Sequence, residues 1–141
     1  MGKFRLFLIA FALNFVWEMI QMREYVGLAG ISFGSTAACS AAAIGDSGYV
    51  LLLYWSGSIV TADRTWISRM TPLRLGAIVA VGFLVAVIME RAALFLSWWQ
   101  YAASMPRIPV LSVGLWPVLQ LMTVPLAVFW VATHWTTSGH E

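Results

Sequence analysis

Residues 4–22, FRLFLIAFALNFVWEMIQM, form an apolar run with three polar side chains on one side. The run is long enough to cross a bilayer, which takes about 20 helical residues. Asn14, Glu18 and Gln21 stand at positions i, i+4 and i+7, so they share one face of a helix. A carboxylate inside a membrane span costs a few kcal/mol unless partners compensate for it. We therefore expect other spans to supply partners and to create a polar pocket within the membrane.

The whole chain has the composition of an integral membrane protein. Of its 141 residues, 61% are hydrophobic and 10% are charged, and the mean hydropathy is +0.84. Soluble domains contain about 25% charged residues. Lys and Arg are few and scattered, so the sequence does not indicate a nucleic-acid surface. Cys39 is the single cysteine and belongs to no Cys/His cluster, so we expect no intrachain disulfide, no metal site and no cofactor.

The distribution of apolar residues predicts an all-α fold, a single bundle domain over residues 1–141 with four transmembrane helices. The predicted spans are residues 4–22, 35–60, 75–99 and 110–133. Residues 26–34 are apolar but short and rich in glycine. They are either a surface loop or a re-entrant segment after the first span, and the sequence leaves both interpretations open.

Glycine and proline predict irregular geometry within two of the spans. Gly45 and Gly48 flank Asp46 in the second span, which predicts a kink or a close helix contact and leaves a break open. Pro117 and Pro125 are expected to interrupt the fourth span.

The positively charged residues predict the orientation. Four spans place both termini on one side, and that side holds Lys3, Arg5, Arg64, Arg69 and Arg74, against Arg23 and Arg107 on the other. The positive-inside rule then predicts cytoplasmic termini, in a bacterial inner membrane. With a rise of about 1.5 Å per residue, each span contributes a polar side chain to the outer half of the bilayer. These side chains are Glu18, Asp46, Glu90 and Gln120.

Glu18, Asp46 and Glu90 are the candidate catalytic residues. Three carboxyl groups close together in a low dielectric cannot all stay ionised. A protonated carboxyl beside an ionised one is a ready general acid–base pair. The alternative is a structural network that fixes helix packing. The candidate substrate-binding residues are Asn14, Trp17, Gln21, Arg91, Trp98, Tyr101 and Gln120.

Several short motifs carry a resemblance to known families. They read NFVWE at 14–18, GD at 45–46, WWQYAASMP at 98–106 and GLWPVLQ at 114–120. As a set they resemble a group of small bacterial multi-span proteins of unassigned function, which implies no activity. A fainter similarity is to the lycopene cyclase domain and the fungal-type membrane terpene cyclases, which work by protonation. That similarity matches Glu18, Asp46 and Glu90 to their acids, although the chain lacks the P-x-E-E motif.

Three functions remain open from the sequence. The first is a membrane-embedded enzyme that acts on a lipid or isoprenoid, with membrane lipid and an apolar small molecule as partners. The second is a proton- or cation-coupled carrier or channel subunit, which would need a homo-oligomer formed through Ala38/Ala42 and Gly82/Ala86. The third is a non-catalytic partner subunit. The apolar cytoplasmic halves of the spans favour the enzyme.

Overall fold

The computed structural model describes residues 2–135, and within them the protein is a bundle of four long helices. The helices are α1 (Lys3–Gln21), α2 (Phe33–Thr61), α3 (Pro72–Phe95) and α4 (Leu115–His134). Two short 3₁₀ helices, Met22–Glu24 and Trp66–Ser68, follow α1 and α2. No β-strand occurs in these residues, so the all-α prediction is confirmed.

All four helices are long and apolar enough to cross a membrane, which confirms the predicted spans as a set. They contain 19, 29, 24 and 20 residues. Their outward faces carry large exposed apolar side chains, such as Ile44 on α2 and Leu84 and Ile88 on α3. Exposed apolar side chains of this kind suit contact with lipid, as in a multi-pass membrane protein.

The helices follow one another around the bundle in the order α2, α1, α4, α3. Helix α1 packs against α2 and α4, and α3 packs against α4. In the described part of the chain, α2 and α3 form no interface of comparable extent. The bundle is therefore an arc with a gap between its two outer helices.

A glycine sets the distance between α3 and α4. A Cβ atom added at Gly82 would lie 2.3 Å from the carbonyl oxygen of Leu121. Gly82 and Ala86 are both buried inside the chain's own bundle. The hypothesis that these two residues form an oligomer contact is therefore wrong, whereas Ala38 and Ala42 of α2 are exposed.

The predicted end of the third span is wrong by four residues, and the predicted start of the fourth span is wrong by five. Helix α3 ends at Phe95 and α4 begins at Leu115, and an irregular connection joins them. Three residues of that connection have left-handed backbone conformations, with φ of 56° at Ser97, 71° at Val110 and 55° at Ser112. These conformations do not occur in a right-handed helix, so apolar composition alone placed the end of the third span too late and the start of the fourth too early.

Neither glycine nor proline breaks the helices. Helix α2 runs without interruption through Gly45 and Gly48. Pro117 lies in the first turn of α4, where a backbone N–H would have no helical acceptor. Pro125 lies inside α4 without ending it. The break that the sequence left open in α2 and the interruption expected of the fourth span are therefore absent from the described helices.

We call the end of the bundle that holds residues 22–32 and 96–114 the loop end. There the two connections hydrogen-bond to each other, from Val26 N to Gln100 O (2.9 Å) and from Ala102 N to Glu24 O (2.8 Å). Residues 25–32 contain no helix. Of the two interpretations of this segment, the structure shows an irregular loop that pairs with the other connection.

We call the opposite end, which holds the α2–α3 connection, the termini end. A cluster of buried apolar side chains fills the space between the helices there, including Leu6, Ala10, Val50, Tyr54 and Phe129. The rings of Trp66 and Phe129 meet edge to face, with centroids 5.5 Å apart. The space enclosed by α1, α2 and α4 at the termini end is therefore filled by apolar side chains.

Candidate functional site

A cavity of about 1030 Å³ lies between α2 and α3, and its lining on α2 runs from Ala38, near the loop end, to Trp55. Its walls are largely apolar and include Leu52 and Trp55 of α2 and Val85 and Met89 of α3. Because α2 and α3 do not pack against each other, the cavity opens sideways between them. Ligand sites in proteins share this form, with apolar walls and a few convergent polar groups.

Gln120 of α4 is the centre of a polar cluster on the cavity wall. Its Nε2 donates to Oδ2 of Asp46 (2.7 Å) and to Oδ1 of Asn14 (3.1 Å). Asn14 in turn donates through Nδ2 to the carbonyl oxygen of Ala10, one turn earlier on α1 (3.0 Å). Gln120 therefore links α4 to α1 and α2 through side chains alone.

Gln21 extends the cluster along α1. Its Nε2 donates to Oε1 of Glu18 (3.0 Å) and to Oε1 of Gln120 (2.9 Å). Its own Oε1 accepts from the indole Nε1 of Trp17 at 3.1 Å. The amide donors of Gln21 and Gln120 are thus already engaged within the protein.

Glu18 and Asp46 face each other across the boundary between α1 and α2. Their carboxyl groups are in hydrogen-bonding contact, and the Glu18 side chain is 9% exposed. Two carboxyl groups in such contact share a proton, because two adjacent carboxylates would repel each other in a low dielectric. Each is contacted by an amide donor through one oxygen, Oε1 of Glu18 and Oδ2 of Asp46.

Glu90 of α3 belongs to a separate aromatic cluster at the loop end. Its Oε2 accepts from the hydroxyl of Tyr101 and from Nε1 of Trp99 at 3.4 Å. The Tyr101 hydroxyl accepts from the backbone N–H of Gly114 at 2.9 Å. Burial and the neighbouring Glu90 raise the pKa of Tyr101, so its phenol stays protonated and acts as a donor. Glu90 is therefore held by donors only.

No Lys, Arg or His side chain is among the described residues that line the cavity. Arg91, which the sequence placed at the site, is exposed and donates through Nη1 to the carbonyl oxygen of Leu111 at 3.0 Å. Arg91, predicted as a substrate-binding residue, is therefore absent from the cavity lining. Residues 2–135 contain one ion pair, Arg23 with Glu24, at the loop end. The three cavity carboxyl groups therefore have no basic partner within this part of the chain.

The structure brings most of the predicted site residues together. Those that line the cavity are Glu18, Gln21, Asp46, Glu90, Trp98 and Gln120. Asn14, Trp17 and Tyr101 lie behind them and hydrogen-bond to lining residues. Of the predicted site residues, Arg91 neither lines the cavity nor forms a side-chain hydrogen bond to a residue that does.

Tyr25, Tyr49 and Trp99 are among the lining residues that were not predicted from the sequence. The hydroxyl oxygen of Tyr49 is buried and has no hydrogen-bond partner among residues 2–135. The signal was available, because Tyr49 follows Asp46 by three residues and so shares its helix face. Tyr25 and Trp99 pack edge to face, with centroids 6.2 Å apart. Their contact depends on the loop conformations, which the sequence pattern does not encode.

Comparison with known proteins identifies no relative. No family model matches the chain, and no curated protein or solved structure matches it significantly. Within residues 2–135, no group of three or more His, Cys, Asp or Glu side chains is arranged to hold a metal ion. The function has to be inferred from the geometry of the cavity.

Proposed function

We propose that the protein is a membrane-embedded enzyme that acts on a lipid or isoprenoid by acid–base chemistry of its carboxyl groups. One observation carries the proposal. The contacting carboxyl groups of Glu18 and Asp46 lie on the wall of a largely apolar cavity that opens between α2 and α3. An apolar substrate dissolved in the bilayer would enter through this opening without crossing water.

The proposed reaction begins with transfer of a proton from the Glu18–Asp46 pair to a double bond of the substrate. A C–H bond forms, the π bond breaks, and the neighbouring carbon becomes positively charged. Loss of a proton from an adjacent carbon to a carboxylate restores a double bond and returns the proton to the enzyme. The net change is an isomerisation. If a second double bond of the substrate first attacks the cation, that π bond breaks, a C–C bond forms, and the net change after proton loss is a cyclisation. Neither reaction needs an oxidant or reductant.

Gln120 and aromatic rings have supporting roles in this reaction. The hydrogen bond of 2.7 Å from Gln120 to Asp46 fixes the orientation of the acid. The face of Trp99 lines the cavity and attracts positive charge through its ring quadrupole. Exclusion of water by the apolar walls protects a cationic intermediate from hydration.

The packing of the termini end supports an enzyme over a carrier formed by a single chain. A carrier needs access from both membrane faces, whereas buried Leu6, Val50 and Phe129 fill the interior of the bundle at the termini end. We place the protein in a bacterial inner membrane with both termini in the cytoplasm. The basic residues of the termini end support this orientation, including Lys3 over the ring of Trp55 (5.2 Å).

The proposal is tested by deuterium incorporation. The purified protein is incubated in D₂O buffer with a total lipid extract from the membranes in which it was expressed, and the lipids are analysed by mass spectrometry. We expect one lipid class to gain non-exchangeable deuterium, because the donated proton equilibrates with solvent before it forms a C–H bond.

Two matched variants make the test specific. Asp46→Asn should slow incorporation about 100-fold or more, since general acid catalysis contributes that much. Asp63→Asn changes a surface carboxyl of the α2–α3 connection, which hydrogen-bonds to Thr65, and should leave the rate unchanged. Absence of deuterium with the wild-type protein, or equal rates in the wild type and Asp46→Asn, would overturn the proposal.

A further inference from the structure

We infer that Glu90, Tyr25, Trp98 and Trp99 form a subsite for the quaternary ammonium head of a single-chain amphiphile. All four residues line the cavity. The inference deepens the proposed function and rests on it, because the same cavity would then bind the substrate's head group at one end and react with its chain further along.

The first argument is the unpaired carboxyl group of Glu90. Its side chain is 5% exposed and accepts hydrogen bonds from Tyr101 and Trp99, both through Oε2. No donor among the described residues contacts Oε1, and no ion pair in residues 2–135 involves this carboxyl. A buried carboxylate needs a cation beside it and otherwise takes up a proton, so a cationic ligand would supply the missing partner.

The second argument is the arrangement of aromatic rings beside Glu90. Tyr25 and Trp99 stand at 88° to each other, so they present surfaces in two directions. Trp98 adjoins Trp99 with its centroid 6.5 Å away. Aromatic faces combined with a carboxylate recognise quaternary ammonium groups, which attract π systems and have no hydrogens to donate.

The third argument is the continuity of the cavity, which favours an amphiphile over a free ammonium compound. On α2 the lining runs from Ala38 to Trp55, which is about 26 Å along a helix. From the aromatic end the walls continue past Asp46 between apolar side chains such as Leu52. An alkyl or isoprenoid chain would be desolvated there, with a gain of about 0.8 kcal/mol per buried CH₂.

The two carboxyl clusters would then have different tasks. The Glu18–Asp46 pair shares a proton and supplies the acid. Glu90 receives hydrogen bonds from donors only and holds the positive head. This arrangement places the head group at the loop end, next to Trp98 and Trp99, which suits an amphiphile whose head remains near the membrane surface.

The test is a binding measurement with three probes, independent of turnover. Equilibrium dialysis in dodecyl maltoside micelles compares dodecyltrimethylammonium, its uncharged tert-butyl analogue of the same chain length, and choline. We expect the ammonium amphiphile to bind about tenfold more tightly than the neutral analogue, as a desolvated cation–π contact predicts. Choline, which lacks the chain, should bind at least about tenfold more weakly than the amphiphile.

Variants assign the preference to the subsite. Glu90→Gln should lower binding of the ammonium probe to the level of the neutral one, and Trp99→Leu should lower it about fivefold. Asp63→Asn, at a surface carboxyl, should have no effect. If Glu90→Gln does not give a monodisperse protein by size-exclusion chromatography, the wild-type comparison of the three probes decides the question.

Three results would overturn the inference. They are equal binding of the ammonium and neutral amphiphiles, an unchanged preference in a folded Glu90→Gln protein, and choline binding as tight as that of the amphiphile. The third would indicate a site for a free ammonium compound. Failure of the deuterium experiment with intact ammonium selectivity would instead overturn the proposed reaction and leave the subsite standing.

Discussion

The amide nitrogen of Gln120 hydrogen-bonds to Asn14 at 3.1 Å and to Asp46 at 2.7 Å, and so joins three helices at one buried point. Gln120 is 1% exposed. Within a largely apolar bundle, this amide determines how α1, α2 and α4 lie relative to one another. The same contact orients the proposed acid, so fold and chemistry depend on one side chain.

Replacement of Gln120 should therefore cost more stability than its size suggests. Gln120→Leu would remove the donor to Oδ2 of Asp46 and to Oδ1 of Asn14 and one acceptor of Gln21 Nε2, at about 1–3 kcal/mol for each buried atom left unsatisfied. The measurement is thermal unfolding in dodecyl maltoside. Thr123→Val, three residues along α4, removes a hydroxyl that bonds only to the carbonyl oxygen of Leu119, and it should leave the melting temperature nearly unchanged.

The contact between α3 and α4 gives a second prediction. Gly82→Ala should destabilise the protein by about 1–3 kcal/mol, since the new methyl group would lie 2.3 Å from the backbone oxygen of Leu121 and force the helices apart. Gly76→Ala on the same helix is the matched control, because a Cβ there meets no atom within 4 Å. Equal melting temperatures for the two variants would contradict this packing.

Tyr49 and Tyr54 of α2 differ in whether their hydroxyl groups have a hydrogen-bond partner. Because the Tyr49 hydroxyl has none in the part of the chain that the structure describes, Tyr49→Phe should not lower the melting temperature. Tyr54→Phe provides the contrast, since the Tyr54 hydroxyl donates to the carbonyl oxygen of Arg64 at 2.8 Å and its loss should cost about 0.5–1.5 kcal/mol. A loss of stability in Tyr49→Phe as large as that in Tyr54→Phe would show that Tyr49 has a partner within the protein.

The sideways opening can be tested by filling it. Ala42 lines the cavity on α2, so Ala42→Leu should weaken binding of dodecyltrimethylammonium by occupying space along the chain path. Ala37 is also exposed on α2 but lies outside the lining, so Ala37→Leu should bind the probe as the wild type does. Equal binding by both variants would show that the alkyl chain of the probe does not lie along this part of α2.

The number and type of helices could be predicted from sequence because spans are encoded by composition and length. Composition failed to locate the end of α3 and the start of α4. Val110, Leu111 and Val113 count as apolar, yet they lie in a connection where Val110 has a φ of 71°. Hydropathy does not distinguish an apolar helix from an apolar loop, so both predicted spans extended into the connection.

The polar cluster could be anticipated in part. The spacing of Asn14, Glu18 and Gln21 gives one face of α1, and that face meets Gln120 in the structure. The partners of Glu90 could not be found this way. Tyr101 and Trp99 reach Glu90 only because the chain turns after α3, and Arg91 points away because its guanidinium bonds to Leu111. These contacts depend on loop conformation, which has no periodicity to read.

The most direct test of the account is labelling with dicyclohexylcarbodiimide, an apolar reagent that reacts with protonated carboxyl groups from within the bilayer. The protein in lipid vesicles is treated and digested, and the modified residues are identified by mass spectrometry. The account predicts modification at Glu18 or Asp46, since the two share a proton beside an opening to lipid. Modification confined to surface carboxyl groups such as Asp63, with Glu18 and Asp46 untouched, would contradict it.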